Sequence, residues 1–582
     1  MVRRLGYACL LPTLLIAAPP VLSDDGVDQS AMWMTTPDGD RVPDFTWAGV
    51  PEGIPDLDGP VFDVTNFGAN GSDDQPDEKA IAAAVASAAA KGGGVVYIPD
   101  GTYHLSDCVE INDGGIVVRG QSCDGTVLVL DHATTGGGFY DARAALHFKG
   151  KMKIDYTDRF PVEVVGAGQT TITIADHEYQ PGEILIWEGK PLSQWLRVVR
   201  VDGQRVHIDK PLRAPVAPGQ GKFRRYGMIE NVGVESLSIH TSREMNTNGV
   251  NFYGVWGGWL RDVAIHKAGR FPVGFNNTRH IEIRDCFFDD AWKKGSGGVG
   301  YGGLWSTADS LMDNVEMRNL RHAPNLQDGA SGCVIRNSRF FQSDMQWHTG
   351  GSMYCLVEQC VIELDDLQPT VAHSHTLRSS RPGIDGIHAA AGPGQVVWNC
   401  DFVEKGNKTA GADFGHRMDG WLFAYNRMVA PTGGNEPFIR IWIDQAPSFT
   451  LRGNVFASQN KTARAASCSS ATTPRRRPAK SASSPTSSPA GRWWTGGGGP
   501  ATASPPRTRA TSTARPSACR SARRRPCRRC TNGSCSRRAV RWSRDEMHTP
   551  CIHGAGVGHA GVDRGVRRGR RLLRQPRWRR HA

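Results

Sequence analysis

A chain of 582 residues with 69 basic and 57 acidic side chains has a formal net charge of +12, but the two signs are segregated along it. Residues 463–582 hold 27 Arg and one Lys against three acids, a net of +25, which leaves residues 1–462 at −13. The basic average therefore describes only the tail, which lacks the aromatic interleaving of a nucleic-acid surface, so no nucleic-acid partner is expected.

Arg3 and Arg4 precede an apolar run from Ala8 to Ala18 and then Val21-Leu22-Ser23. A charged start, a short apolar stretch and small residues together read as an export signal over 1–23, cut before Asp24. No later run of about twenty apolar residues exists, so the expected product is secreted or periplasmic, without a membrane partner. Residues 24–60 are an N-terminal extension.

Residues 61–149 begin VFDVTNFGANGSDDQPDEKAIAAAVASAAAKGGGVVYIPDGTYHL. Acidic residues near the start and Lys91-Gly92-Gly93-Gly94 at the end predict an Ala-rich helix over Pro76 to Ala90. A strand, Val95 to Ile98, follows, and Pro99-Asp100-Gly101 turns the chain into a second around Tyr103 to Leu105. This segment resembles the N-terminal part of the pectate-lyase-like superfamily of right-handed parallel β-helix proteins. The resemblance implies that the helix caps the open end of the solenoid, where unpaired strand edges would otherwise invite aggregation. It is specific for fold rather than activity, since the superfamily contains polysaccharide lyases, glycoside hydrolases and phage tailspikes.

From residue 150 to 227 the text changes to TTITIADHEYQPGEILIWEGK and VRVDGQRVHIDKPL, short strands with Pro-Gly and Asp202-Gly203 turns. A small antiparallel insertion is expected, as substrate contact or as decoration.

Residues 228–462 repeat one pattern: WLRDVAI, IEIRDCFF, LMDNVEM, CVIRNSRF, CLVEQCVI, VVWNCDF, LFAYNRM and LRGNVF. Its polar members are Asp262, Asp285, Asn314, Asn337, Gln359, Asn399, Asn426 and Asn454, separated by 23, 29, 23, 22, 40, 27 and 28 residues. Intervals of this length with strand-like alternation describe solenoid coils, the longer ones carrying loops. The fold class is thus all-β, a single-stranded right-handed parallel β-helix with an N-terminal capping helix and a small β insertion. Equivalent positions stack about 4.8 Å apart, so these residues are expected to form a structural hydrogen-bonded ladder at one turn. Cys286, Cys360 and Cys400 follow ladder residues and Cys333 and Cys355 precede them by four, which makes them apolar fillers of the interior. Cys108 and Cys123 are a candidate bridge in an exported protein.

The ladder also serves as a ruler. Seven residues after four of its members stand Trp292, Arg321, Asp344 and Asp366, and eight after two of them Lys293 and His322. These positions predict one flank of successive coils, with Arg321 within ion-pairing reach of Asp344 and His322 near Lys293. Trp292, Tyr301, Trp305 and Trp347 are candidates to stack on sugar rings. Elimination from a uronate polymer needs a cation on the carboxylate and a base at the C5 proton; Arg321 and Lys293, with His322 or His348, supply these, and Asp344 orients them. Hydrolysis needs paired carboxylates, for which Asp344 with Asp366, or Asp289 and Asp290 with Asp328, are available. The superfamily's polygalacturonase-type set is matched only in fragments: Asn246-Thr247-Asn248 lacks its Asp, and Gly415-His416-Arg417 and Arg440-Ile441-Trp442 fall too many coils apart.

The expected function is an exported enzyme cleaving a polysaccharide, elimination ahead of hydrolysis, with a non-catalytic glycan-binding solenoid as the third reading. No metal ligand set stands out: His373-Ser-His375 reads as a loop, and Asp365-Asp366 is a candidate for Ca2+. A monomer or small homo-oligomer is expected. The tail, including Cys527-Arg-Arg-Cys530, reads as a disordered segment or shifted-frame translation of GC-rich coding DNA. In the latter case the solenoid would lack its last coils.

Overall fold

The computed structural model describes residues 32–458 apart from 58, 132–141, 155–156, 190–191, 295–297, 349, 365–375, 380–390, 405–411, 416–417, 431–437 and 443–447, together with 8–10, 14–15 and 466–469. The described chain winds into a parallel β-solenoid of about 11 turns, with a single helix, Glu78–Ala90.

Register produces the core. Val234, Leu260, Ile283, Met312, Ile335, Val357, Val397, Phe423 and Leu451 are successive strand partners and form one buried apolar column. Each buried Leu, Ile or Val contributes about 1.5–3 kcal/mol relative to exposure. One residue further along, side chains point outward, and Arg261, Arg284, Asp313, Arg336 and Glu358 form a charged column. Asp313 there pairs with Arg284 at 2.9 Å and Arg336 at 2.8 Å.

The helix closes the N-terminal end by burying Ile81, Ala84, Val85 and Ala88 against this core. Glu78, also buried, accepts bonds from the backbone N–H and hydroxyl of Ser106, tying the helix to the coil beneath. Gly92, in the left-handed region at φ 81°, ends the helix, as a residue without Cβ does at low cost.

The N-terminal extension has a use that the repeat pattern does not announce. Leu311, Val334, Leu356, Val396 and Leu422 are successive partners on the outside of the solenoid. The hairpin of Trp33–Thr35 with Arg41–Pro43 lays Met34, Val42 and nearby Phe45 over this stripe, removing it from water.

Residues 152–227 form a six-stranded antiparallel sheet with a separate core around Trp187, Leu196 and Phe223. It docks on the solenoid through a buried charge cluster. Asp309, wholly inaccessible, receives Lys210 and Arg213 from the insertion and Arg279 Nε at 2.7 Å from the solenoid, while Arg279 Nη1 reaches Asp209 at 2.7 Å. Despite burial, the Arg213 and Arg279 guanidinium groups, with Lys210 beside them, hold this carboxylate ionised well below the usual range.

The ladder requires a correction. Asp262, Asp285, Asn314, Asn337, Gln359 and Asn399 all adopt φ between 51° and 57°, so they mark a left-handed corner repeated in each coil. Asp and Asn are selected there because they tolerate that conformation. Asn426 and Asn454 belong to the neighbouring column: Tyr425 aligns with Asn399, and Asn426 with the buried Cys400. In that inner column Asn454 Oδ1 accepts from Asn426 N at 2.9 Å and Asn426 Oδ1 accepts from Cys400 N at 2.9 Å, while in the corner column the expected side-chain bond is made where Asn314 Nδ2 donates to Asp285 Oδ1 at 2.6 Å. Cys286, Cys333, Cys355, Cys360 and Cys400 are buried and unbridged. The candidate bridge between Cys108 and Cys123 is not formed.

Candidate active site

The left-handed corners place a second set of turns on one flank of the solenoid, and there the coils at Tyr301, His322 and Asp344 converge. Arg321 N donates to Gly300 O at 2.7 Å, which stacks the Arg321-His322 turn directly on the segment leading into Tyr301. His322 Nδ1 stands 2.8 Å from Asp344 Oδ1, with both side chains fully buried. Gln346 Nε2 donates to the other carboxylate oxygen at 2.5 Å. Burial lowers the pKa of His322 against the opposing pull of Asp344, so the ring is neutral and donates Nδ1–H to the carboxylate.

Three rings meet above this pair. Tyr301 lies 4.8 Å from His322 and 5.1 Å from His348 between ring centroids, and His322 lies 4.9 Å from His348. The Tyr301 hydroxyl is 3.4 Å from His348 Nε2. Arg321, half-buried, carries its guanidinium 5.6 Å from the Tyr301 ring centroid. Burial pushes the Tyr301 phenol up to about 12, more than Arg321 and Arg270 offset, so at neutral pH it is a proton donor. His348, half-buried, is the imidazole of the group nearest solvent.

The structure redistributes the residues that spacing aligned. Asp344 turns to His322 and Gln346, while Arg321 lies over Tyr301 rather than forming the expected salt bridge as its main described contact. Lys293 pairs with Glu244 at 3.4 Å, so the expected approach to His322 is replaced by an exposed ion pair. Tyr301, Trp305 and Trp347 are each 1% exposed and belong to the solenoid core, the two Trp packed on Phe271 and Trp421 respectively, so none of the three offers a ring face to a sugar. Trp292 is 37% exposed, with its indole N–H on Thr241 O and Lys267 over its ring, and keeps a solvent-facing edge. Among the hydrolytic candidates, Asp289 accepts from Asn319, Asp290 from Lys294 and Asp328 from Gln327. Asp366, Asp365, His373, His375, His416 and Arg417 lie outside the described residues.

Spacing missed Gln346, Arg270 and Arg378. Arg378 is the strand partner of Gln346 on the next coil, and its charge bears on His322. The same register position carries Asn325 on the preceding coil and, by backbone pairing, residues 413 and 440 on later ones. These residues sit in short strands set apart by loops of unequal length, so only strand pairing brings them into line.

Coils and capping helix together make a parallel β-solenoid similar to the pectate-lyase-like right-handed β-helix. Residues 61–161 match the family described as rhamnogalacturonase A/epimerase, pectate lyase-like. The chain is similar to mannuronan C5-epimerase AlgE6 of Azotobacter vinelandii, 43% identical over 232 residues, covering 38% of this chain and 22% of that protein. It is also similar to alginate lyase 7 of the same organism, 40% identical over 58 residues, 10% of this chain and 7% of that protein. The chain therefore spans less than a quarter of either relative. Among solved structures, the tailspike gp49 of Pseudomonas phage LKA1 aligns with a TM-score of 0.47 at 16% identity over 66% of this chain and 74% of that one. The A-module of AlgE4 from Azotobacter vinelandii aligns with a TM-score of 0.37 at 12% identity over 70% and 97%.

Proposed function

We propose that the protein is a carbohydrate-active enzyme that removes the C5 proton of a uronate residue within a polysaccharide, and that β-elimination follows. The observation carrying this reading is the Tyr301 hydroxyl 3.4 Å from His348 Nε2 with the Arg321 guanidinium alongside. Abstraction next to a carboxylate places negative charge on that carboxylate, and a fixed cation such as Arg321 stabilises it. His348 takes the C5 proton. His348 then passes that proton to the departing glycosidic oxygen, while Tyr301, kept protonated by burial, donates to His348 from below and holds it in place. His322, held by Asp344, packs against both rings and fixes their positions. Arg378, half-buried on the next coil, stands further along the axis, the direction a linear chain would take.

A second reading shares the first step. The AlgE6 relative is named a mannuronan C5-epimerase, and reprotonation of the same carbanion from the opposite face would epimerise the residue without breaking the chain. Incubation with polymannuronate in D2O separates the two. Unsaturated ends seen by ultraviolet absorbance support elimination. Deuterium at C5 without new chain ends supports epimerisation. Absence of both from folded protein, on a panel of uronate polymers, overturns proton abstraction and favours a glycan-binding solenoid. New reducing ends without unsaturation favour hydrolysis.

A further inference from the structure

A separate cluster lies near the capping helix, on strands that take no part in the Tyr301 site. Cys108 and Glu110 are two residues apart at the strand Val109–Ile111, so they share the outer side while Val109 and Ile111 fill the interior. On the next coil, His147 of the strand Arg143–Lys149 is the direct register partner of Glu110, and it faces outward between the buried Leu146 and Phe148. Spacing along one strand and register to the next therefore bring a thiol, a carboxylate and an imidazole together. One ligand atom from each lies within 4.8 Å of the others.

His147 is the anomaly that points to a ligand. It is only 6% exposed, with its ring against Tyr253 at 4.8 Å, yet neither ring nitrogen has a hydrogen-bond partner among the described residues. Buried polar atoms are ordinarily satisfied, and an imidazole with two unsatisfied nitrogens is costly unless something else occupies one of them. Burial and the nearby Lys149 and Arg143 keep this ring neutral, the form that binds metal. Asn251 and Tyr253 on the following coil are committed to Ala142 O and close the other side.

We propose that Cys108, Glu110 and His147 form a binding site for a borderline-soft divalent transition-metal ion, with Zn2+ as the ion that this mixed sulfur, nitrogen and oxygen set fits best. Tetrahedral Zn2+ places such ligand atoms about 3.3–3.8 Å apart, so closure asks for a shift of roughly an ångström, which the exposed Glu110 can supply. As the sulfur–metal bond forms, the thiol proton leaves to solvent, with no change of oxidation state. Arg143 donates to Cys108 Sγ from Nε at 3.2 Å and Nη2 at 2.8 Å and also pairs with Asp107, so it steadies the developing thiolate from outside. A fourth position remains for water. The ion would clamp the coil holding Cys108 to the coil holding His147, next to the helix that caps the solenoid.

The test is differential alkylation of the full chain, stripped of metal and then titrated with Zn2+, with peptide-level mass spectrometry at Cys108. Zn2+ should slow modification of Cys108 by about tenfold or more, leave Cys123 unaffected, and give little protection in Glu110→Gln or His147→Gln, since losing one ligand removes most of the affinity. Failure of Zn2+ to protect Cys108 in the unaltered protein overturns the site. So does equal protection in Glu110→Gln, whose exposed position makes that variant decisive even where His147→Gln does not fold.

Discussion

His322 Nδ1 donates to Asp344 Oδ1 across 2.8 Å with neither side chain reaching solvent, and this pair is the base on which the Tyr301 and His348 rings rest. A hydrogen bond to a charged group contributes about 1.5–3 kcal/mol. In Asp344→Asn the charge disappears and an amide N–H group competes with Gln346. The expected loss is about 2 kcal/mol in urea denaturation, with a fall in turnover because the rings above lose their support.

Tyr301→Phe removes the hydroxyl that holds His348 while leaving a core aromatic of the same shape. Under the proposed chemistry kcat falls by about tenfold or more with little change in KM, because the base loses its orientation. Arg321→Ala should lower kcat/KM by about 10²-fold or more through loss of charge stabilisation. Rates on a uronate polymer, beside melting curves for both variants, check each.

Asp309 is the charge on which the insertion docks, and Asp309→Ala strands Lys210, Arg213 and Arg279 in a buried site. Breaking such a buried cluster costs about 3–5 kcal/mol. The visible result should be early proteolytic release of fragments from 152–227, while a charge reversal on the surface at Arg200 leaves the digestion pattern unchanged.

Acid should destabilise the fold before carboxylates titrate. Burial holds His147 and His240 at about 4 and His280 at about 3, below the ordinary value of 6.5. The unfolded chain therefore binds more protons than the native one once pH drops under about 6.5, so stability declines from there down to about pH 4 and further for His280. Denaturation midpoints followed across this interval should drift steadily downward.

Phe45 fastens the N-terminal hairpin to the outer apolar stripe, and Phe45→Ala should cost about 3 kcal/mol or somewhat more, the usual range for a buried Phe. Thermal unfolding of the two proteins side by side measures it.

The coiling repeat, strand positions and the capping helix were legible because each is a local pattern: alternation that fits a strand, a corner that favours Asp or Asn, and an Ala-rich segment ended by glycines. Even there, two corners misled. Asn426 and Asn454 look like their predecessors in the repeat, yet they point inward, because Tyr425 and Gly453 occupy the left-handed position instead. A single-residue slip is invisible in composition and decisive in a strand, where it exchanges inside for outside.

The candidate site was legible in part. Its His, Asp and Arg stood at consistent offsets from the corners, but which of them touch depended on turn conformation, so Asp344 found His322 while Trp305 and Trp347 went to the core. The sequence by itself determined that this chain coils, since the period of apolar residues can be buried in no simpler way. Only the tertiary structure decided which outer columns are covered: the stripe from Leu311 to Leu422 by the hairpin, and Asp309 by the insertion. It also decided that Cys108, Glu110 and His147 share one place. The physical reason is that parallel stacking joins residues some twenty to a hundred positions apart at a spacing of about 4.8 Å, a relationship set by loop lengths and register rather than by any local preference.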